Sequence, residues 1–122
     1  MNRHQLGKKG EQIAADYLSE NGYRILERNF RSGRFGEIDI IAEDGPCICF
    51  IEVKTRTSDL FGAPSESVDY NKRRKLRSLA MIYLKQKGNG ERDIRFDVVE
   101  ITARREGDGI MPENINLIRG AF

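Results

Sequence analysis

The stretch Gly36–Arg56, GEIDIIAEDGPCICFIEVKTR, decides the fold. Two runs rich in Ile, Val, Phe and Cys flank the turn Glu43-Asp44-Gly45-Pro46, which predicts a β-hairpin with strands over 37–42 and 47–55. Charged residues interrupt these runs where a buried sheet would take apolar side chains. The four are Glu37, Asp39, Glu52 and Lys54.

Alternation of side chains along the two strands predicts that these charges share one face of the sheet. A turn with an even number of residues pairs odd positions of the first strand with even positions of the second, so Glu37, Asp39 and Ile41 are expected beside Glu52 and Lys54. A bulge in either strand would break this register. A hairpin whose charged end simply faces water is the plain alternative.

Clustered carboxylates repel one another unless a cation or a proton intervenes. Mg²⁺ suits them, because it prefers hard oxygen ligands and is commonly held by one or two carboxylates with water and phosphate. A neighbouring lysine can stabilise charge on a phosphate or position a nucleophilic water. The charged end of the hairpin therefore suits a magnesium site.

The rest of the chain alternates helical and strand-like patterns without an internal repeat or a long linker. Apolar spacing predicts helices over about residues 4–20 and 69–87, and alternation predicts strands over 23–30 and 93–102. A loop is expected over 57–68, and the tail holds a short apolar stretch, 115–118. The order predicts a single α/β domain, 1–122, with helices against a central sheet.

Composition limits the class of protein. With 122 residues, 33% charged and 39% hydrophobic, the chain is expected to be one soluble domain with one core. Its longest apolar run, Leu79–Leu84, is far shorter than the roughly 20 residues of a membrane span, and no apolar signal segment is visible, so a cytoplasmic protein without a membrane partner is expected. Cys47 and Cys49 are expected to be reduced thiols, because a zinc site needs four ligands and only one His is present.

Positive charge is concentrated although the net charge is only +2. Arginines recur over residues 24–34, and five cations form a block on the second predicted helix: Lys72, Arg73, Arg74, Lys75 and Arg77. This distribution favours a nucleic-acid backbone as partner, and a solvated helix face is the alternative. Most of the six Phe and four Tyr fit core positions, so stacking on single strands has little support in the sequence.

The ordered set Asp39 and Glu52-Val53-Lys54 resembles the PD-(D/E)xK nuclease superfamily, with Ile38 in place of the namesake proline. Nearly the whole chain resembles the YraN-like family of bacterial proteins, which is similar to archaeal Holliday-junction resolvases. The matching pieces are Gly10-Glu11, Gly36-Glu37-Ile38-Asp39, 50–56, Phe61-Gly62, Lys72, 95–99 and Ala121-Phe122. The resemblance implies a restriction-endonuclease-like fold, a mixed β-sheet flanked by helices.

The resemblance also implies roles for individual residues. Asp39 and Glu52 would be metal ligands, with the carbonyl of Val53 as a third and Glu11 as a further metal or water ligand. Lys54 would be the catalytic ammonium, alongside the acids Glu11, Asp39 and Glu52. Glu37 points the same way as Asp39 without an assigned role. Lys72 would reach the site or a phosphate, or else cap the core as a snorkelling lysine.

The leading hypothesis is a DNA endonuclease that uses Mg²⁺ or Mn²⁺ to hydrolyse phosphodiester bonds, on branched or otherwise structured DNA. The basic helix would hold the DNA backbone, and the loop over 57–68 would act as a lid or groove contact. A junction-cutting enzyme would be expected to work as a homodimer, with recombination or repair proteins as partners. The alternative is a non-catalytic nucleic-acid-binding or recombination-accessory protein that retains the nuclease fold. Joint presence of Asp39, Glu52 and Lys54 favours the enzyme.

Overall fold

A computed structural model describes residues 1–57, 70–88 and 91–122. They form one mixed sheet, in the order β1-β2-β3-β4-β5, with two helices. Strands β3 and β4 run parallel, and the other neighbouring strands are antiparallel. This confirms the α/β class and is consistent with a restriction-endonuclease-like fold. The elements are α1 (Arg3–Glu20), β1 (Arg24–Arg31), β2 (Glu37–Asp44), β3 (Cys47–Thr57), α2 (Tyr70–Lys87), β4 (Ile94–Glu106) and β5 (Gly109–Ile118).

Helix α1 begins and ends close to the predicted positions. Asn2 and Gln5 form a capping box: Asn2 Oδ1 accepts from the Gln5 N–H at 2.8 Å, and Gln5 Oε1 accepts from the Asn2 N–H at 2.9 Å. Gly22, with φ of +89°, takes the left-handed conformation that turns the chain towards β1. These two features set the ends of the helix that the apolar spacing predicts.

The sheet buries an apolar core on each face. On the face that α2 covers, Phe50 of β3 meets Tyr83 of α2 edge to face, with ring centroids 6.0 Å apart. On the face that α1 covers, Leu18 packs with Ile40 and Ile51. Each fully buried side chain of this size contributes about 1.5–3 kcal/mol of transfer free energy, so burial on both faces stabilises the packing of the helices on the sheet.

The predicted hairpin register is confirmed near the turn. Ile41 lies opposite Phe50, and Asp44 opposite Cys47, so Gly45 and Pro46 alone form the connection and β2 runs two residues beyond its predicted end. Ile41, Ile48 and Phe50 share the α2 face, as the even turn requires. Cys47 and Cys49 are free, as predicted, and burial raises the pKa of the Cys49 thiol to about 12.

The tail, in which the sequence shows only a short apolar stretch over 115–118, forms strand β5. It pairs antiparallel with β4 across the turn Gly107-Asp108, and β4 itself continues to Glu106 instead of ending at Thr102. Pro112 lies where the register shifts on this edge strand, and an edge strand can accommodate a residue without an N–H. Gly107, Gly109 and Pro112 therefore made this strand difficult to recognise in the sequence.

The predicted lid, residues 57–68, lies outside the described residues apart from Thr57, which ends β3. Asp69, the predicted first residue of the second helix, also lies outside them. In the part of the chain that the structure describes, neither helix has the length and apolar character needed to cross a membrane.

Candidate active site

The regular alternation of β2 breaks at Asp39. Ile38 packs on the α2 face and Ile40 on the α1 face, although residues two apart in a regular strand share a face. At the same level of β1, Asn29 has a φ of +54°, a left-handed conformation that is uncommon for a residue other than glycine. The ladder between β2 and β3 extends from the turn to Ile40 opposite Ile51. Distortions of this kind are over-represented at sheet edges and beside active sites.

Asp39 occupies the position where the ladder ends. Its Oδ2 accepts a hydrogen bond from the backbone N–H of Val53 at 2.8 Å, and the residue is 7% exposed. Burial above all, then the negative charges of Glu52, Glu11 and Glu37, raise the pKa of Asp39 from 3.8 to about 8, against the lowering effect of the Val53 bond. At neutral pH and without a cation, this carboxyl group therefore retains its proton.

Three carboxylates form what we call the acidic cluster. One oxygen each from Glu11, Glu37 and Asp39 lies within 4.8 Å of the others. Glu11 comes from α1, as predicted, and is 8% exposed. Because Ile38 points to the α2 face, Glu37 beside it points towards α1, so the prediction that Glu37 shares a face with Ile41, Glu52 and Lys54 is wrong. The distortion at Asp39 is the reason. Glu52 instead pairs with Lys72 of α2.

A close approach between α1 and β3 places Glu11 in the acidic cluster. A Cβ added at Gly10 would lie 1.8 Å from Thr55 Oγ1, so the helix can rest on the strand only with a glycine at this position. Glu11 follows Gly10 in α1, so the same close contact brings Glu11 to the sheet. The Gly10-Glu11 pair in the sequence is thus explained by one contact.

Polar partners orient the flanking acids. Glu11 Oε1 accepts from Asn29 Nδ2 at 2.9 Å and lies 3.5 Å from Lys8 Nζ. Glu37 Oε2 accepts from Arg31 Nε at 2.8 Å. Asn29 was not identified from the sequence, because its left-handed backbone and its reach to α1 depend on tertiary structure alone.

Glu52 and Lys54 lie on the strand next to Asp39. Glu52, 8% exposed, forms an ion pair with Lys72 of α2, with Oε1 2.5 Å from Nζ. Its charge contributes to the raised pKa of Asp39, but it is not part of the acidic cluster among the described residues. Lys54 is half-buried two residues further along β3. Lys72 therefore contacts a predicted site residue, and its role at a substrate phosphate stays a prediction.

The donor set fits a hard divalent cation. Three carboxylate oxygens close together, one of them on a group with a raised pKa, repel one another in the ionised state and would be relieved by Mg²⁺ or Mn²⁺. The predicted ligands Glu11 and Asp39 belong to this set, and Glu52 lies beside it. The third carboxylate of the set is Glu37, which the sequence left without a role, and not the predicted ligand Glu52. The Val53 N–H is bound to Asp39, and a ligand role for its carbonyl stays a prediction.

The predicted basic block divides into separate surfaces. The Arg73 guanidinium lies over the ring of Phe122, 5.5 Å from its centroid, and Arg77 lies 5.7 Å from that of Phe96. Arg74 and Lys75 instead line a groove with Arg34 of the loop between β1 and β2. Helical geometry directs these pairs to different sides of α2.

A second basic groove lies beside the start of α1 and was not predicted. It has a volume of about 500 Å³, and its lining includes His4, Lys8, Lys9 and Arg105 together with one acid, Asp108. Lys8 also contacts Glu11, which links this groove to the acidic cluster. These cations come from the first turns of α1 and from β4, so no run in the sequence reveals them.

Residues 10–101 match the model of a family described as "Uncharacterised protein family UPF0102". The chain belongs to this family. Its expected membership in the YraN-like family, which is the same family, is thereby confirmed.

The UPF0102 relatives cover nearly all of the chain. A UPF0102 protein of Acetivibrio thermocellus is 46% identical over 121 residues, which span 99% of this chain and 93% of the relative. One from Moorella thermoacetica is 48% identical over 122 residues, 100% and 98% of the two chains. One from Thermodesulfovibrio yellowstonii is 52% identical over 105 residues, 86% and 92%. The acidic cluster, Glu52 and Lys54 all lie within the range that the UPF0102 model matches.

Proposed function

We propose that the protein is a deoxyribonuclease that uses Mg²⁺ or Mn²⁺ to hydrolyse phosphodiester bonds at the acidic cluster. One observation carries the proposal: Glu11, Glu37 and Asp39 converge where β2 is distorted, beside the Glu52-Val53-Lys54 segment of β3. The order Asp, Glu-x-Lys resembles the PD-(D/E)xK superfamily, and the sheet is consistent with its fold. Both support the proposal.

Asp39 is the central ligand in this proposal. A bound cation would favour the ionised form of its carboxyl group, against the burial and the neighbouring negative charges that raise its pKa. Glu11 and Glu37 would supply further oxygen ligands. Hydrogen bonds from Asn29 and Arg31 orient their carboxylate groups. A bound Mg²⁺ would supply Lewis-acid stabilisation of charge on the scissile phosphate.

Lys54 and Lys72 have different roles in the proposed reaction. Lys54 brings a compact positive charge that stabilises the attacked phosphate or positions the nucleophilic water. Lys72 balances Glu52 in the structure. With a cation bound, Glu52 would serve as a further ligand and Lys72 as a contact to a substrate phosphate. The pair thus keeps a buried carboxylate compensated before substrate arrives.

The two basic grooves support DNA as the substrate. One adjoins Glu11 through Lys8, and the other lies between α2 and the loop that precedes Glu37. Cations on both sides of an acidic centre hold a phosphate backbone without reading its sequence. The proposed substrate is branched or otherwise structured DNA. On a junction the protein is proposed to act as a homodimer, with recombination or repair proteins as partners.

The test is cleavage of end-labelled four-way junction, flap, duplex and single-stranded DNA with Mg²⁺, Mn²⁺ or EDTA. The wild type is expected to cut only with a metal, and Asp39→Asn to lower the rate by about 100-fold or more. Asp16→Asn, on the exposed surface of α1, is the matched control and should cut normally. Normal cutting by Asp39→Asn would remove the acidic cluster from the reaction. Binding without cutting by the wild type would favour the accessory protein.

Lys54→Ala separates chemistry from binding. Cleavage should be lost while DNA affinity in gel shifts stays near that of the wild type, because the basic grooves supply most of the binding. An equal loss of cleavage and affinity would show that Lys54 is a DNA contact instead.

A further inference from the structure

A groove of about 460 Å³ lies between the loop that joins β1 to β2 and the first half of α2. This volume falls within the roughly 300–1,000 Å³ of sites that take small ligands. The described residues that line it are Arg34, Phe35, Asn71, Arg74, Lys75 and Ser78. We call it the Phe35 groove.

Both walls of the Phe35 groove are continuous in sequence with residues of the candidate site. Phe35 precedes Glu37 of the acidic cluster by two residues, and Asn71 precedes Lys72, which is bound to Glu52. A ligand in the groove therefore lies between two segments of the chain that lead to candidate site residues. For this reason the inference below rests on the proposed function for its role, though not for the binding itself.

Phe35 is held out of the core. It is 42% exposed and lies in a turn in which its N–H reaches Ser32 O at 3.5 Å, between Gly33 and Gly36, both with positive φ. A single exposed apolar side chain is ordinary on a protein surface. Phe35 differs from such a residue because its ring lines a concave site together with cations. Each of these cations attracts an anion placed beside the ring.

The charges of the Phe35 groove have one sign. Arg34, Arg74 and Lys75 are cationic, Asn71 and Ser78 are neutral hydrogen-bonding residues, and none of the described lining residues is acidic. Arg74 also lies over the ring of Tyr70, 5.8 Å from its centroid, and Tyr70 is 73% exposed. A second aromatic surface thus continues the groove along α2.

We propose that the Phe35 groove binds an unpaired nucleotide of a DNA strand. Phe35 stacks on the base, and Arg34, Arg74 and Lys75 contact the phosphates on either side. The combination of aromatic rings with a cationic channel is what single-stranded nucleic acid requires, because every base has a flat face and every linkage a charge. A paired base, enclosed within a duplex, offers no free face to Phe35.

The proposal restricts the kinds of DNA that are expected to be cut at the acidic cluster. A strand with an unpaired nucleotide in the groove places a nearby linkage at the metal site, so flaps, branch points and single strands are expected to be preferred over uninterrupted duplex.

Binding is measured in EDTA, where no cleavage can occur, by fluorescence anisotropy with labelled oligo(dT) and a duplex of equal length. Phe35→Ala is expected to weaken oligo(dT) binding by roughly 5- to 150-fold, the loss of one stacked base, and to leave duplex binding nearly unchanged. Phe35→Tyr keeps the ring and should bind like the wild type. Met81→Ala removes another exposed apolar side chain of α2, outside the described lining of the groove, and should have no effect.

The outcomes separate this proposal from the nuclease proposal. Unchanged oligo(dT) binding by Phe35→Ala, with a native circular dichroism spectrum, would overturn the stacking role even if the wild type cuts DNA. An equal loss on oligo(dT) and duplex would also overturn it, since a paired base cannot stack on Phe35. Loss on oligo(dT) alone would support it even if no cleavage is ever seen.

Discussion

At the scale of single residues, Asp39 shows how burial and charge create a reactive group. It lies almost out of contact with water, near three other carboxylates, and its pKa of about 8 follows from that position. Such strongly perturbed acids concentrate at functional sites, because a stable fold gains nothing from crowded like charges. A bound cation would remove the repulsion among these carboxylates and so offset the stability that they lose for the fold.

Asp39 predicts an unusual pH dependence of stability. Its pKa is about 8 in the folded protein and 3.8 in the unfolded chain, so between these values the folded protein binds more protons. The free energy of unfolding without metal therefore falls as pH rises across this window, by up to about 1.4 kcal/mol per pH unit from this group. Urea unfolding in EDTA should show this loss in the wild type relative to Asp39→Asn. Parallel pH profiles of the two proteins would contradict it.

At the scale of secondary-structure elements, the contact between α1 and β3 decides whether Glu11 reaches the acidic cluster. Gly10→Ala places a methyl group against Thr55 and should cost about 1–3 kcal/mol in the free energy of unfolding. Gly7→Ala is the matched control on the same helix. Its Cβ meets nothing within 4 Å, so it should stabilise the protein by about 0.5–1 kcal/mol.

Urea unfolding of the two variants measures this contrast directly. Equal stabilisation by both substitutions would mean that α1 does not rest closely on β3. Cleavage assays on the same proteins should show a loss for Gly10→Ala alone, because a displaced helix carries Glu11 away from Asp39.

Most elements could be predicted from local patterns, and the exceptions have local causes. The apolar spacing of α1 and the even turn between β2 and β3 are short-range signals, so the helix, the hairpin and the register near the turn were predicted. The break at Asp39 could not be predicted, because alternation assumes a regular strand, and the irregularity lies beside the left-handed backbone of Asn29 on a neighbouring strand. Strand β5 was missed because Pro112 usually argues against a strand.

At the scale of the whole molecule, a second polar network fixes the far end of the sheet. Asp97 of β4, fully buried, accepts from Arg95 Nε at 2.8 Å, from the Gly120 N–H at 2.9 Å and from the Tyr23 hydroxyl at 3.4 Å. These bonds join β1, β4 and the last residues described. They hold the chain end so that the ring of Phe122 stacks on Phe96, 5.1 Å between centroids.

Asp97→Ala is expected to destabilise the protein by about 3–5 kcal/mol, because it removes one partner of a buried ion pair and leaves several donors without an acceptor. Glu106→Ala, which breaks the exposed pair with Arg104, should change stability by less than about 0.5 kcal/mol. Urea unfolding compares the two. A similar small effect of both would show that the network contributes little to the fold.

The global arrangement of charge was only partly predictable. Each acid of the candidate site could be identified from its place in the sequence, yet the sequence did not reveal that Glu37 belongs to the acidic cluster while Glu52 is held by Lys72. The groove at the start of α1 was missed for a similar reason, since its cations come from distant segments. Packing of separate elements, which no local pattern encodes, decides both.

Binding of Mn²⁺ measured by titration calorimetry tests most directly whether the acidic cluster holds a metal. The wild type is expected to bind the ion, with affinity lowered by about 10- to 100-fold in Asp39→Asn and Glu37→Gln and unchanged in Asp16→Asn. No binding by the wild type, or equal affinity in Asp39→Asn, would contradict a metal site at the acidic cluster.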